Sequence, residues 1–174
     1  MTDFDKEFDF GQKGEYVNTV IEISKGSMNK IEYDREHKVF KLDRVEPGIF
    51  AKPVNYGFIP QTLDEDGDAL DTLVITSEPL PMGVVVKARV VGILNFVDSD
   101  ENDHKIICVP EDDRHKGNEI KELDDLYGAW KAQIEHHFNH YKDLKKPGST
   151  KVEGWGNTEA AWKIIEECAK RFKK

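Results

Sequence analysis

Polar and apolar residues alternate from Tyr16 to Ile23, with Val17, Thr19, Ile21 and Ile23 on one side of an extended chain and Asn18, Val20 and Glu22 on the other. Gly26 and Ser27 break the pattern and predict a turn into a second strand at 30–33. A third run, Val39 to Val45, sets Phe40 and Leu42 against Lys41 and Asp43 and stops ahead of Pro47 and Gly48. Short strands linked by tight turns predict antiparallel pairing. Further extended runs follow at 73–75, at 84–96 around Gly92, and at 105–109 ahead of Pro110. So many short runs predict a mainly β protein whose strands close, or partly close, into a barrel.

The period changes in the last third. Residues 119–127 allow one or two helical turns, and 129–144 predicts a helix with Trp130, Ile134, Phe138, Tyr141 and Leu144 as its apolar stripe, stopped by Pro147 and Gly148. A second helix is expected over Thr158–Phe172, capped by Asn157, with Ala161, Ile164, Ile165, Cys168 and Ala169 facing inward. Residues 145–156, which contain Gly154, Trp155 and Gly156, read as a loop in which Trp155 packs and its indole nitrogen finds a carbonyl. The charged, glycine-punctuated residues 1–15 read as a peripheral arm or short helix. Without repeats, 174 residues predict a single domain, 1–174, large enough to bury its own core.

Charge narrows the partners. A net charge of -9 opposes sequence-independent binding of nucleic acid, so an anionic ligand here needs local Lys and Arg, or metal ions, to offset the field. The two cysteines, Cys108 and Cys168, lack metal-ligand spacing and are expected to be buried thiols. No apolar window reaches membrane-spanning length and the acidic opening residues are unlike a secretory leader, so the expected location is the cytoplasm, away from any membrane.

The chemistry concentrates in acidic clusters. Asp66 and Asp68 are two apart, so on an extended segment both point one way, and Gly67 lets the backbone turn Asp71 toward the same point. Taken alone, the same residues make an exposed acidic turn; the spacing fails as a calcium-binding EF-hand loop because Leu73 falls where that loop needs glutamate. Asp98, Asp100, Glu101 and Asp103 form a second cluster, which alone reads as a solvated hairpin. With Glu22 and Glu32 these groups offer oxygen ligands for several hard cations, which favours Mg²⁺, with Mn²⁺ a possible substitute, over Zn²⁺.

Asp66-Gly67-Asp68-Ala69-Leu70-Asp71 takes its place in an ordered series with Glu22, Lys30-Ile31-Glu32, Arg44, Asn55-Tyr56-Gly57, Asp98, Asp103, Lys105, His140-Tyr141-Lys142-Asp143 and Lys151-Val152-Glu153-Gly154-Trp155. That series, running from about residue 15 to the final helix, resembles the soluble inorganic pyrophosphatases of the single-barrel, Mg²⁺-dependent family, in their short prokaryotic form. The resemblance implies a five-stranded, OB-like closed barrel with helices packed outside, and hydrolysis of pyrophosphate to two phosphates. It implies that Asp66, Asp71 and Asp103 hold a first metal ion, that Asp71 also reaches a second, and that Asp98, Asp103 and Glu32 receive ions arriving with substrate, while Glu22 acts through water. Asp68 is the expected general base, with direct metal ligation as its competing role. Lys30, Arg44, Tyr56, Tyr141 and Lys142 form the implied phosphate-binding set, with Lys105 either touching substrate or tuning Asp103. Two positions depart from the family's habit: Ala69 stands where proline is frequent, and Thr72 replaces a small apolar residue.

The resemblance also implies a homohexamer built as paired trimers, with the helix face of His136, His140 and Asp143 at a subunit contact. Two rival functions follow from the same features. One is a broader metal-dependent phosphoesterase; the other is a non-catalytic nucleic-acid-binding barrel, which would need a basic groove with stacking aromatics.

Overall fold

The computed structural model describes residues 2–173. The N-terminal segment forms a short helix, α1 (Phe4–Glu7), and two-residue β1 (Gly11–Gln12) leads into β2 (Tyr16–Ile23). A hairpin follows, β3 (Asn29–Asp34) and β4 (Val39–Val45), then β5 (Asn55–Phe58), β6 (Asp71–Val74) and the long β7 (Val85–Asp98). The chain continues through β8 (Glu101–Asn102), β9 (Lys105–Pro110), α2 (Gly128–His140), β10 (Thr150–Gly156) and α3 (Thr158–Phe172). The protein is thus mainly β with a few helices. Among the described residues no helix is long and apolar enough to cross a membrane.

β2 pairs through its first half with β7 and through its second with β5; β5 pairs with β6, β6 runs parallel to β9, and β9 pairs antiparallel with β7. The pairings therefore return to the strand from which they start. Both faces of these strands are buried, which corrects the simple alternation expected for β2: Val17, Val20, Ile21 and Ile23 are all core. α3 packs on one side, with Ala161, Trp162, Ile165 and Cys168 against Val90, Ile93 and Ile106, and α2 on another, with Trp130, Ile134 and Phe138 against Leu94, Phe96 and Ile107. Asn157 caps α3 by accepting from the Ala160 amide at 3.0 Å. Phe4 of α1 packs edge-on to Tyr33, 5.0 Å between ring centroids, so the arm is fastened to the hairpin. Both cysteines are buried, and burial pushes the Cys168 thiol up to about 12.

Three expectations are corrected. Residues 150–156 are a strand: β10 adds to β7 from Thr150↔Asp98 to Gly156↔Ile93, and its bulge puts Gly154 at φ 126°, where glycine is favoured. The α2 helix ends at His140, short of Leu144, which is 70% exposed and makes no part of the apolar stripe. The Trp155 indole donates to the Glu135 carboxylate at 2.5 Å, so its partner is a side chain of α2 and not a main-chain carbonyl.

Candidate active site

Strand irregularities aim the site. Val20, Ile21 and Ile23 pair in turn with Phe58, Gly57 and Tyr56, so a bulge leaves Glu22 without a partner on β5. Its carboxylate accepts the Tyr33 amide at 2.7 Å and lines a cavity beneath the β3–β4 hairpin. A second bulge in β4 sets Lys30 opposite Arg44. Gly57 permits the close approach of β5 and β2, since a Cβ there would stand 2.2 Å from the Val20 carbonyl oxygen. That packing holds neighbouring Tyr56 on the cavity wall.

Asp66 and Asp68 sit on a tight turn, not on the extended segment expected from their spacing. The Asp64 amide donates to the Asp68 carbonyl at 2.7 Å, the Asp68 amide donates to the Asp66 carboxylate at 3.0 Å, and Gly67 takes φ 92°. Asp71 then starts β6. Thr72 beside it is fully buried, its hydroxyl bonded to that of Thr19 at 2.5 Å, which accounts for a polar residue at this core position.

Twelve of the thirteen expected site residues line one cavity of about 280 Å³: Glu22, Lys30, Glu32, Arg44, Tyr56, Asp66, Asp68, Asp71, Asp98, Asp103, Tyr141 and Lys142. Lys105, the thirteenth, lies directly behind the wall, where its ammonium bonds Asp71 at 2.6 Å and also bonds Asp103. Burial opposes its charge, but Asp103 and Asp71 outweigh that and hold the ammonium form above its ordinary range. The Tyr56 hydroxyl donates to Asp71, and Tyr141 and Lys142 both donate to Asp98, at 3.0 Å from Tyr141. Lys30 faces Glu32 at 3.2 Å and Arg44 bonds Asp43 and Glu46.

Crowding of the carboxyl groups is visible in their protonation. Burial raises Glu22 to about 8, with Asp71 adding repulsion. Burial raises Asp66 to about 6, with Asp103, Asp68 and Asp71 adding repulsion against the Asp68 amide's contribution. Asp68 is raised by burial, then by Asp71 and Glu32, and Asp103 is raised chiefly by burial. Asp98 moves the other way: burial opposes its charge, but Lys142 and hydrogen bonds from Ser99 and Tyr141 together outweigh that. Among the described residues no three such groups already stand together as a metal shell, and Lys105 bonds both Asp71 and Asp103. The donor chemistry nevertheless suits hard divalent cations: oxygen ligands only, held together against their mutual repulsion.

Two charged residues at the cavity escaped the sequence reading. Lys52 and Arg35 line it without belonging to any motif, and Lys52 is only 5% exposed. A lysine's burial depends on tertiary packing that its local sequence does not display.

The family model described as inorganic pyrophosphatase matches residues 19–173. The inorganic pyrophosphatase of Neisseria meningitidis is 57% identical, covering 100% of this chain and 99% of that protein. That of Haemophilus influenzae is 58% identical, covering 90% of this chain and 89% of that protein. The crystal structure of an inorganic pyrophosphatase from Neisseria gonorrhoeae superposes with a TM-score of 0.97 at 56% identity, covering 99% of this chain and 100% of that one.

Proposed function

Since the chain belongs to the inorganic pyrophosphatase family and is a hydrolase that cleaves pyrophosphate to orthophosphate, we propose that the acidic cavity carries out this reaction by water attack on one phosphorus. The observation that carries the reading is the composition of one wall system: seven carboxyl groups face five cationic side chains across about 280 Å³. A small, highly charged anion needs the cations, and the carboxylates need divalent ions before they can share a cavity with it.

The family is metal-dependent, and the ion proposed here is Mg²⁺, with Mn²⁺ a substitute. Asp66, Asp71 and Asp103 would hold a first ion and Asp71 a second, with Asp98, Asp103 and Glu32 receiving ions that arrive with substrate. Glu22, buried and bonded to the Tyr33 amide, suits a water-mediated role. When bound, such ions neutralise phosphate oxygens and make water acidic enough to attack near neutral pH.

The remaining work belongs to the chain. Asp68 accepts the proton of the attacking water; its raised proton affinity and its place on the hydrogen-bonded Asp64–Asp68 turn support that role. Arg44 can donate in bidentate fashion to one phosphate, and Lys30 and Lys142 supply compact charge to its oxygens. Tyr56 and Tyr141 donate hydroxyl protons without adding charge, and burial keeps both phenols protonated. The bridging oxygen departs with the second phosphate, which takes up the proton that water released. Lys105 bridges Asp71 and Asp103 from behind, offsetting their mutual repulsion, and contacts substrate only if those carboxylates release it.

The ring of pairings through β2, β5, β6, β9 and β7 supports a five-stranded, OB-like closed barrel, in one domain spanning 1–174. The assembly proposed is a homohexamer of paired trimers, and exposed Ile49, Tyr127, Leu42 and Val45 offer apolar surface for contacts between copies. The cytoplasm suits such a housekeeping hydrolase.

Phosphate release should be measured from pyrophosphate, ATP and a simple phosphomonoester, with Mg²⁺ and after chelation. Pyrophosphate alone should be cleaved rapidly, and only with the metal. Comparable rates on the other two would favour a broad phosphoesterase, and no release from any would favour a binding module.

A further inference from the structure

Three lysines surround the ring of Tyr56, their ammonium nitrogens 5.2 Å (Lys30), 5.3 Å (Lys52) and 5.5 Å (Lys105) from its centroid. Two have carboxylate partners: Lys30 pairs with Glu32, and Lys105 with Asp71 and Asp103. No carboxylate among the described residues stands within ion-pairing distance of Lys52, whose nitrogen lies between the rings of Tyr56 and Tyr141, 5.1 Å from the latter.

The backbone fixes this placement. The Lys52 amide donates to the Ser27 carbonyl at 2.9 Å and its own carbonyl accepts the Gly26 amide at 2.8 Å, so the residue is tied in both directions to the turn between β2 and β3. The side chain reaches inward and lines the cavity. Burying an amine without an anion is unfavourable for folding, and the tyrosine faces offset only part of that cost. Such a residue fits a place where the anion arrives from solution.

We propose that Lys52 is a further substrate-binding residue of this cavity, donating to a phosphate oxygen of pyrophosphate and lacking a charge partner until the substrate enters. The proposal rests on the reading of the cavity as the pyrophosphate site. The groups facing Lys52 are Lys30 on β3, Arg44 on β4 with Glu46 just beyond it, Lys105 on β9, His137 on α2, and the two tyrosines. Burial pushes Lys52 down to about 7, with Lys30 and Lys105 adding repulsion and Glu46 opposing it. A phosphate beside the amine favours its protonated form. Substrate binding above about pH 7 is therefore coupled to proton uptake at this residue.

The test is calorimetric titration of the intact protein with methylenediphosphonate, a pyrophosphate analogue with a non-hydrolysable bridge, in saturating Mg²⁺ at about pH 8. Two buffers of different ionisation enthalpy report the protons taken up. Lys52→Met should bind roughly tenfold or more weakly, as expected for one lost charge-assisted hydrogen bond, and should take up fewer protons than the parent. It should also raise KM for pyrophosphate while melting no lower than the parent, because an unpaired buried amine has been removed. Lys52→Gln, which keeps a donor but not the charge, should show the same loss of proton uptake. Arg44→Met serves as the control for the cavity. Parental affinity and proton uptake in Lys52→Met beside weakened binding in Arg44→Met would overturn the role of Lys52 and leave the cavity reading standing. Parental binding in both would overturn the cavity reading and the proposal with it. Affinity lost together with thermal stability would assign Lys52 to packing and overturn the proposal.

Discussion

At the scale of single residues, the acidic turn and the first residue of β6 divide their work. Asp68 lies on the 64–68 turn, whereas Asp71 is tied to Tyr56 and Lys105 at the start of β6. Asp68→Asn keeps the size of the side chain but removes its ability to take a proton. Its turnover should fall by at least about 100-fold at saturating Mg²⁺, while calorimetry should show Mg²⁺ affinity better preserved than in Asp71→Asn. Near-parental turnover in Asp68→Asn, or an equal loss of metal affinity in the two variants, would remove this division. Lys105 makes a separate prediction. Its side chain is 2% exposed, and without it Asp71 and Asp103 would face each other with no cation between them. Lys105→Met should destabilise the chelated protein by roughly 3 kcal/mol, and Mg²⁺ should restore part of that by neutralising the same carboxylates. Thermal unfolding with chelator and with Mg²⁺ reads both effects; equal melting of parent and variant in chelator would show that the buried lysine is not what holds the pair together.

At the scale of elements, α2 carries a polar atom in an apolar place. His137 is buried, stacks on Tyr141 with 5.7 Å between centroids and 12° between planes, and leaves Nε2 without a partner among the described residues. Burial, with Lys52 and His136 adding repulsion, pushes the imidazole down to about 3. An unfolded chain protonates histidine near 6.5. Between those values the unfolded state binds the extra proton, so the stability this group leaves intact above about pH 6.5 is lost as pH falls toward 3. His137→Phe keeps the stack and removes the titration, so its unfolding free energy should decline less steeply across that window; parallel pH profiles would count against the assignment. Legibility also differs between elements. α3 was readable because its apolar period, its Asn157 cap and its packing all agree. β10 was not, because Gly154, Trp155 and Gly156 resemble a loop locally and become a strand only through pairing with distant β7. The overlong reading of α2 has a similar origin: Leu144 continued the period in sequence, but no neighbouring element covers it.

At the scale of the whole molecule, the site was legible wherever its residues form a motif. The order of the acidic signature, Lys30, Arg44, Tyr56 and the Tyr141-Lys142 pair pointed to residues that the fold brings to a single cavity from four strands and two connecting segments. Lys52 and the β2 bulge at Glu22 were not legible, since each depends on how separate strands register. Assembly is the property least visible in one chain, and an exposed apolar position offers a way to test it. Ile49 is 77% exposed and belongs to a shallow groove with Phe50, Ala51 and Pro53 against Ala129, Ala132 and His136 of α2. The His136 and His140 rings lie one turn apart on that helix, 4.6 Å between centroids and tilted by 49°, and His140 bonds Asp143 at 2.8 Å. An apolar residue so exposed is of little use to the isolated chain, and a charge there should leave the monomer's core intact. If the hexamer assembles through this face, Ile49→Glu should sediment as trimers or monomers where the parent sediments as six chains, with unchanged far-ultraviolet circular dichroism. Equilibrium sedimentation near neutral pH across micromolar concentrations decides it. A parent that is only monomeric would remove the hexamer, and a variant that stays hexameric would move the contact to the exposed Leu42 and Val45 of the hairpin.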